Sequence, residues 1–303
     1  LNKIINTPHY QDSIRRKDNK IKPLGLLTSG WTYHGKKYKN NYSTNPILFG
    51  SDNMVNYNTV EGFNAAPELH FSRLLDTGNN LFAVIAVRYG FNNTHFNTIG
   101  RVYYLSQDRS FLNRTWMFGI EGGKYVFQYN PENPVSEWLK SYYALFVREG
   151  DLKIYERYDA TAYFSRNYGT GISWYLKGSY QQRLPLHNTS TYSFIPGGTE
   201  GFKSNAPLFL VNAATTWEKH DAALIEGSVS YKPGIKYIQY PDHKRATGSS
   251  WPRFTLTYKK GIPGMFNSIS DFDKWRFSIR DEVHLRLLGN ISYHIATGGF
   301  LNS

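Results

Sequence analysis

From Asn58 to Gly123 the chain passes through four runs in which apolar and polar positions alternate: FNAAPELHFSRLL, NNLFAVIAVRYGF, FNTIGRVYYLSQ and NRTWMFGIEGG, bounded by Asn, Gly or Asp. Period two belongs to strands, and short polar breaks between such runs predict an antiparallel up-and-down meander. In the first run Phe63, Ala65, Leu69 and Phe71 share one face, while Asn64, Glu68, His70 and Ser72 share the other. In the fourth, Trp116, Phe118 and Ile120 oppose Thr115 and Glu121. Runs of about ten residues are long for an ordinary strand and match what a tilted strand needs to cross a bilayer. The pattern predicts the wall of a transmembrane barrel.

The alternation returns after residue 170. Gly171 to Arg183 sets Trp174 and Leu176 against Ser173, Lys177 and Arg183. A hairpin over Pro207 to Lys232 follows, with Phe209, Val211, Ala213 and Trp217 on one face of its first strand and Ile225 and Val229 opposed to Glu226, Ser228 and Ser230 on its second. Runs around Leu256, Phe277 and Ile291 to Ile295 complete the set. The face expected to meet lipid comprises Phe63, Leu69, Phe71, Trp116, Phe118, Trp174, Leu176, Val211, Ile225, Val229, Leu256, Phe277, Ile291, Tyr293 and Ile295. The opposite face is expected to line the lumen with charges of both signs, among them Arg88, Lys177, Arg183, Glu226, Arg276, Arg280, Glu282 and His284. Asp281 falls on the apolar face, where an unpaired carboxylate deep in lipid is costly, so a bulge or a place near the interface is expected. The count is about eleven strands from Asn58 onward, twelve with a weak apolar run at Leu26, Leu27, Trp31 and Tyr33. An open sheet cannot sit in lipid with bare edges, so closure needs these strands or further ones.

Two stretches break the pattern. Residues 1–57 read as a polar linker or short helix over Ser13 to Lys22, stopped by Pro23, followed by an Asn-, Lys- and Tyr-rich loop or plug-like segment that leads into a barrel over 58–303. Within 134–158 the period shifts to three and four: Val135, Trp138, Leu139, Tyr142, Tyr143 and Phe146 form the stripe of an amphipathic helix, and Asp151 can cap a second short one carrying Tyr155 and Tyr158. This insertion is expected at the barrel rim, with Trp138, Tyr142 and Tyr143 as candidate partner-docking residues.

Composition agrees. Of 303 residues 17% are aromatic and 19% charged, which suits aromatic girdles and a lipid face with few charges. Mean hydropathy is −0.51, and no apolar run approaches the eighteen residues of a membrane helix. Zero cysteines leave no disulfide framework and no thiolate metal site. The net charge of +12 is scattered through strands and turns, which suits anionic lipid or lipopolysaccharide better than nucleic acid. The chain opens at Leu1 without a Met, a basic n-region or an apolar h-region, so a secretory signal is cleaved, lies upstream of these residues or never existed, and a fragment of a longer precursor is the expectation.

Catalytic signatures are missing from the sequence: there is no G-x-S-x-G, H-E-x-x-H, P-loop or dinucleotide fingerprint. His70, His284 and His294 fall on the polar faces of separate strands, His187, His220 and His243 in turns, and none are spaced as metal ligands. Ser292 with His294 has a usable spacing for an outer-membrane lipase, but both lie on the predicted lumen face. No enzyme activity, metal or cofactor is expected.

The stretches LLTSGWTYH (Leu26 to His34), NTVEGFN (Asn58 to Asn64), DLKIYERYDATAYFSRNYGTGISW (Asp151 to Trp174), WPRFTLTYKKGIPG (Trp251 to Gly264) and FDKWRFSIRDEVHLRLLGNISYHIATGGFLN (Phe272 to Asn302) resemble the DUF5686 family. The resemblance implies an outer-membrane protein of Bacteroidetes in which a carboxypeptidase-regulatory-like β-domain precedes a barrel akin to the BamA-like surface-antigen barrels, with about sixteen strands in the full protein. No catalytic residue carries over, because the family has no assigned function. The expectation is a bacterial outer-membrane barrel working in an envelope assembly or translocation complex, with lipid, lipopolysaccharide and other envelope proteins as partners. A TonB-dependent or porin-like transport barrel and a structural docking barrel are the alternatives.

Overall fold

The computed structural model describes residues 7–36, 39–50, 52–76, 78–131, 134–148, 153–196, 202–206, 218–284 and 289–302. The described chain opens with two helices, α1 (Pro8–Asp18) and α2 (Pro23–Thr28). Strands β1 (Thr32–His34), β2 (Asn40–Thr44), β3 (Val55–Asn58), β4 (Gly62–Ala65), β5 (Glu68–Asp76), β6 (Asn79–Gly90), β7 (Phe96–Gln107) and β8 (Arg114–Gln128) follow. A short helix, α3 (Glu137–Tyr142), runs into a π-helical turn over Tyr143–Val147. The remaining strands are β9 (Ile154–Tyr168), β10 (Ile172–Leu184), β11 (His220–Tyr231), β12 (Lys236–Gln239), β13 (Lys244–Gly248), β14 (Arg253–Gly261), β15 (Phe272–His284) and β16 (Asn290–Asn302).

One antiparallel sheet takes all of them except the separate hairpin β12–β13, in the order β1-β2-β5-β6-β7-β8-β9-β10-β11-β14-β15-β16, with the β3–β4 hairpin joined to β6 through β4. From β5 to β11 and from β14 to β16 chain neighbours are sheet neighbours, as in a meander. Among the described residues β1 and β16 do not pair with each other. The strands are long: β8 and β9 have 15 residues each, β10, β15 and β16 13 each, against a usual five or six.

Register carries the alternation across strands, so that one face is apolar along most of each strand, with charged residues such as Arg73, Arg166, Lys260, Asp273 and Asp281 lying close to strand ends. Tyr104 pairs with Phe118, Phe118 with Phe164, and Phe164 with Leu176, while Trp174, Val229, Leu256 and Phe277 form a parallel row. The apolar face stays uncovered: Phe118 is 48% exposed, Leu176 49%, Val229 56% and Ile295 63%. Two small clusters of buried apolar residues form at one end of the strands: Val60, Val126, Ile154 and Leu186, and Tyr57, Ala144 and Leu145.

Several expectations change. The Leu26 run is helix α2, because Pro23 occupies its first turn, where a missing N–H costs nothing; the strand begins later, at Thr32. Residues 36–57 hold β2 and β3 and are thus part of the sheet. The run from Phe63 to Leu75 is two strands, β4 and β5, parted at Ala66 and Pro67, since proline cannot donate to a ladder. The expected helical insertion over 134–158 shrinks to Glu137–Val147: Tyr155 and Tyr158 sit in β9 opposite Phe127 and Lys124. Their three-residue spacing reads as helix, but the ladder extending β8 past Gly123 to Gln128 satisfies this backbone instead. Asp151 and the strand expected over Phe209 to Trp217, Val211 included, lie outside the described residues. Asp281 stays on the apolar face, near the end of β11, where Lys232 Nζ approaches it at 3.4 Å.

Candidate functional site

A buried polar constellation forms where the β3–β4 turn meets the end of β6. Asn58 builds the turn with its own side chain: its Oδ1 accepts from the Val60 N–H at 2.9 Å and the Glu61 N–H at 2.8 Å, an Asx-type closure. Gly62 completes it at φ +66° with Asn92 against the space a Cβ would take, so only glycine fits. The turn thereby aims Glu61, fully buried, at Arg88. Arg88 donates from Nε to Glu61 Oε1 at 2.8 Å and from Nη2 to Oε2 at 2.5 Å, the forked geometry in which guanidinium and carboxylate pair best.

Helix α3 brings the other half. Ser136 caps it by accepting from the Leu139 N–H at 3.4 Å, and Glu137 in its first turn suits the positive end of the helix. Glu137 Oε2 lies 3.4 Å from Arg88 Nη2, and Lys140 Nζ, one helical turn on, lies 2.7 Å from Glu137 Oε1. Burial, the largest single influence, pushes the Glu137 carboxyl up, but Arg88 and Lys140 outweigh it and hold it at about 2. For Lys140 burial wins over Glu137 and lowers the ammonium below its ordinary range. Below Glu137 a cavity of about 380 Å³ is lined by Glu68, Arg88, Arg101, Tyr125 and Asn53, with Pro131 and Pro134 also on its wall.

The connection 185–196 locks the assembly. The Tyr57 hydroxyl donates to Tyr192 O at 2.6 Å and meets Ser190 Oγ at 2.8 Å, Ser141 Oγ accepts from the Tyr57 N–H at 2.8 Å, and the Phe194 N–H donates to Leu145 O at 2.9 Å. A second buried carboxylate, Glu156, is met by Lys124 Nζ at 2.8 Å, His95 Nδ1 at 2.6 Å and Asn97 Nδ2 at 3.0 Å.

This end of the sheet also presents exposed aromatic rings. Trp138 stacks on Tyr142 at 5.9 Å, Tyr142 on Phe146 at 5.7 Å, and Phe146 meets Phe194 at 5.1 Å. Tyr143 stands edge-on to Tyr142 at 5.8 Å. All five remain more than two-fifths exposed. The residues singled out for docking, Trp138, Tyr142 and Tyr143, are thus one surface, and the structure adds Phe146 and Phe194.

Of the polar-face residues expected together, Arg88 belongs to the buried rim cluster. Lys177 faces Glu226 directly across β10–β11, and Arg183 lies opposite Arg157 across β9–β10, its guanidinium held by Gln181 Oε1 at 2.9 Å from Nη2. Arg276 and Arg280 share that face on β15, with Glu282 beyond them. His284 pairs with Asn290 at the end of β15, and its side chain lies outside the described residues. The sequence reading missed Glu61, Glu137, Lys140 and Glu156. The Asn58 to Gly62 turn was the available sign for Glu61, and the three-residue spacing of Glu137 and Lys140 for their mutual pair; the link of Glu137 to Arg88 and the partners of Glu156 had none, because they come from distant strands. Among the described residues no three His, Asp or Glu side chains gather as a metal site, and no helix is long and apolar enough to cross a membrane.

The meander, its single exposed apolar face and its helical rim define a β-rich class of protein. Within it, residues 24–303 match the family described as a family of unknown function, DUF5686, C-terminal domain, and the chain belongs to that family. No curated protein and no solved structure matches it.

Proposed function

We propose that the chain forms the wall of a bacterial outer-membrane β-barrel and serves as a component of an envelope assembly or translocation complex, held to its partners through the aromatic rim. The observation that carries the membrane half is the uncovered apolar face, continuous from β5 to β16 along strands of nine to 15 residues. Water does not tolerate so large a contiguous apolar surface, whereas lipid covers it. The strands of the sheet pair side by side along most of their length, as a bilayer demands, and closure of its two edges completes the barrel. Its surroundings are then membrane lipid and lipopolysaccharide.

The rim supports the docking half. Large aromatic side chains, rigid and clustered, are the residue types that dominate binding at protein interfaces, and the buried Arg88–Glu61–Glu137–Lys140 cluster fixes the helix that carries them. A solute-transport barrel is the second reading, favoured by the mixed charges of the polar face. Affinity purification from native membranes with Trp138, Tyr142 and Tyr143 replaced by Ala separates the two. Loss of co-purifying envelope proteins with retained membrane insertion is the expected result. Partners kept at wild-type level, with solute uptake lost on substitution of Arg276 or Arg280, would favour transport.

A further inference from the structure

The polar face of β14 and β15 sets like charges directly opposite each other at two places on one strand pair. Lys259 lies directly opposite Lys274, and Arg253 directly opposite Arg280, with Arg276 opposite Thr257 between them. Directly opposed side chains stand roughly 5 Å apart at Cβ, where like charges repel and weaken the strand pair. The nearby acids relieve this only in part: Glu226 offsets Lys259 loosely from β11, and Glu282 shares the face two positions beyond Arg280. Asp273 and Asp281 project from the other face, where Lys260 Nζ, at 2.9 Å, and Lys232 Nζ, at 3.4 Å, hold them. Glu226 on β11 reaches Lys259 at 3.9 Å, and Lys274 makes no ion pair among the described residues. Arg280 Nη2 instead meets His294 Nδ1 at 3.5 Å on β16, a third basic group in the same row.

We propose that this face binds an elongated polyanion, a soluble molecule carrying phosphate or carboxylate groups at intervals, which lies along β14 and β15 and bridges the two cation pairs. The pairs are six positions apart on the strand, roughly 20 Å at the strand rise, so one small anion occupies a single pair and a chain of anionic groups spans both. Oxygens of such a ligand sit between two opposed cations and convert each repulsive pair into a charge-assisted bridge. The site goes beyond the docking reading and does not depend on the rim.

Thermal unfolding of the full chain in detergent micelles at low salt, with long-chain inorganic polyphosphate as the probe and orthophosphate as comparison, tests this. Polyphosphate is expected to raise Tm by several degrees, orthophosphate by much less, and added salt to erase the gain. Lys274→Glu, which places a carboxylate opposite Lys259, is expected to raise Tm without polyphosphate and to lose most of the polyphosphate shift. Arg280→Gln loses part of it, and Lys17→Glu on α1, an equal change of net charge elsewhere, keeps it. If Lys274→Glu fails to fold, Lys274→Gln serves for the shift. No shift in the wild-type chain, a shift undiminished in the Lys274 and Arg280 variants, or a shift given by phosphatidylglycerol in the micelle and not by polyphosphate would overturn the proposal. Insertion into vesicles, measured separately, reports on the membrane reading alone.

Discussion

Arg88 and Glu61 form a two-pronged ion pair, with both residues at most 4% exposed, that ties the end of β6 to the turn of the β3–β4 hairpin. Removing one partner of a buried pair leaves the other charge uncompensated, which costs about 3–5 kcal/mol, whereas replacing both by apolar residues of similar size costs far less. Glu61→Ala is therefore expected to lower the urea midpoint of the protein in micelles strongly, and Glu61→Leu with Arg88→Met to recover most of the loss. A double variant as unstable as the single one would show that the two side chains are not coupled.

Acid should loosen the rim through Glu137. Its folded carboxyl is held at about 2, below the ordinary 4.5, so the unfolded chain takes up the proton first as pH falls. The stability it contributes is fully present above pH 4.5 and is lost between there and pH 2, on the order of 3 kcal/mol in all. Urea midpoints recorded from pH 6 to pH 2 should fall less steeply for Glu137→Gln than for the wild-type chain. Superimposable curves would remove Glu137 from the account.

Neighbouring strands should tolerate a charge on one face only. Leu176 lies in the middle of β10 on the apolar face, and Ser228, opposite Tyr175 on β11, lies on the polar face. Leu176→Arg is expected to destabilise the protein in lipid vesicles by about 2–4 kcal/mol, the range for a cation near the bilayer midplane, and Ser228→Arg by under about 0.5 kcal/mol. Equal losses in folded, inserted protein would mean that the two faces see the same solvent.

The strands were the most legible part of the sequence, because burial on one side writes itself into period two: β7 is the run FNTIGRVYYLSQ from first residue to last. Turn chemistry located the breaks less well. Pro23 stands equally for a stop and for the first turn of a helix, and only the backbone beyond it decides which. Tyr155 and Tyr158 misled because three-residue spacing carries no record of whether a neighbouring strand offers hydrogen bonds. The rim helix was visible in Trp138, Tyr142 and Phe146, one turn apart each time. What holds it was not, since Glu61, Arg88 and Glu137 come from three separate elements and nothing in their local sequence says that they meet. The opposed cations of β14 and β15 were equally hidden, because their repulsion exists only once register is known.

The central claim, that the apolar face lies against lipid while its alternate positions do not, is tested most directly by nitroxide scanning. The chain has no cysteine, so single cysteines at Trp174, Tyr175, Leu176, Lys177 and Gly178 of β10 can each carry one label in protein reconstituted into vesicles. Collision with oxygen, which partitions into hydrocarbon, should be high at positions 174, 176 and 178, and collision with a water-soluble nickel chelate high at positions 175 and 177. Accessibilities that fail to alternate, or that favour the chelate at Leu176, would contradict the account.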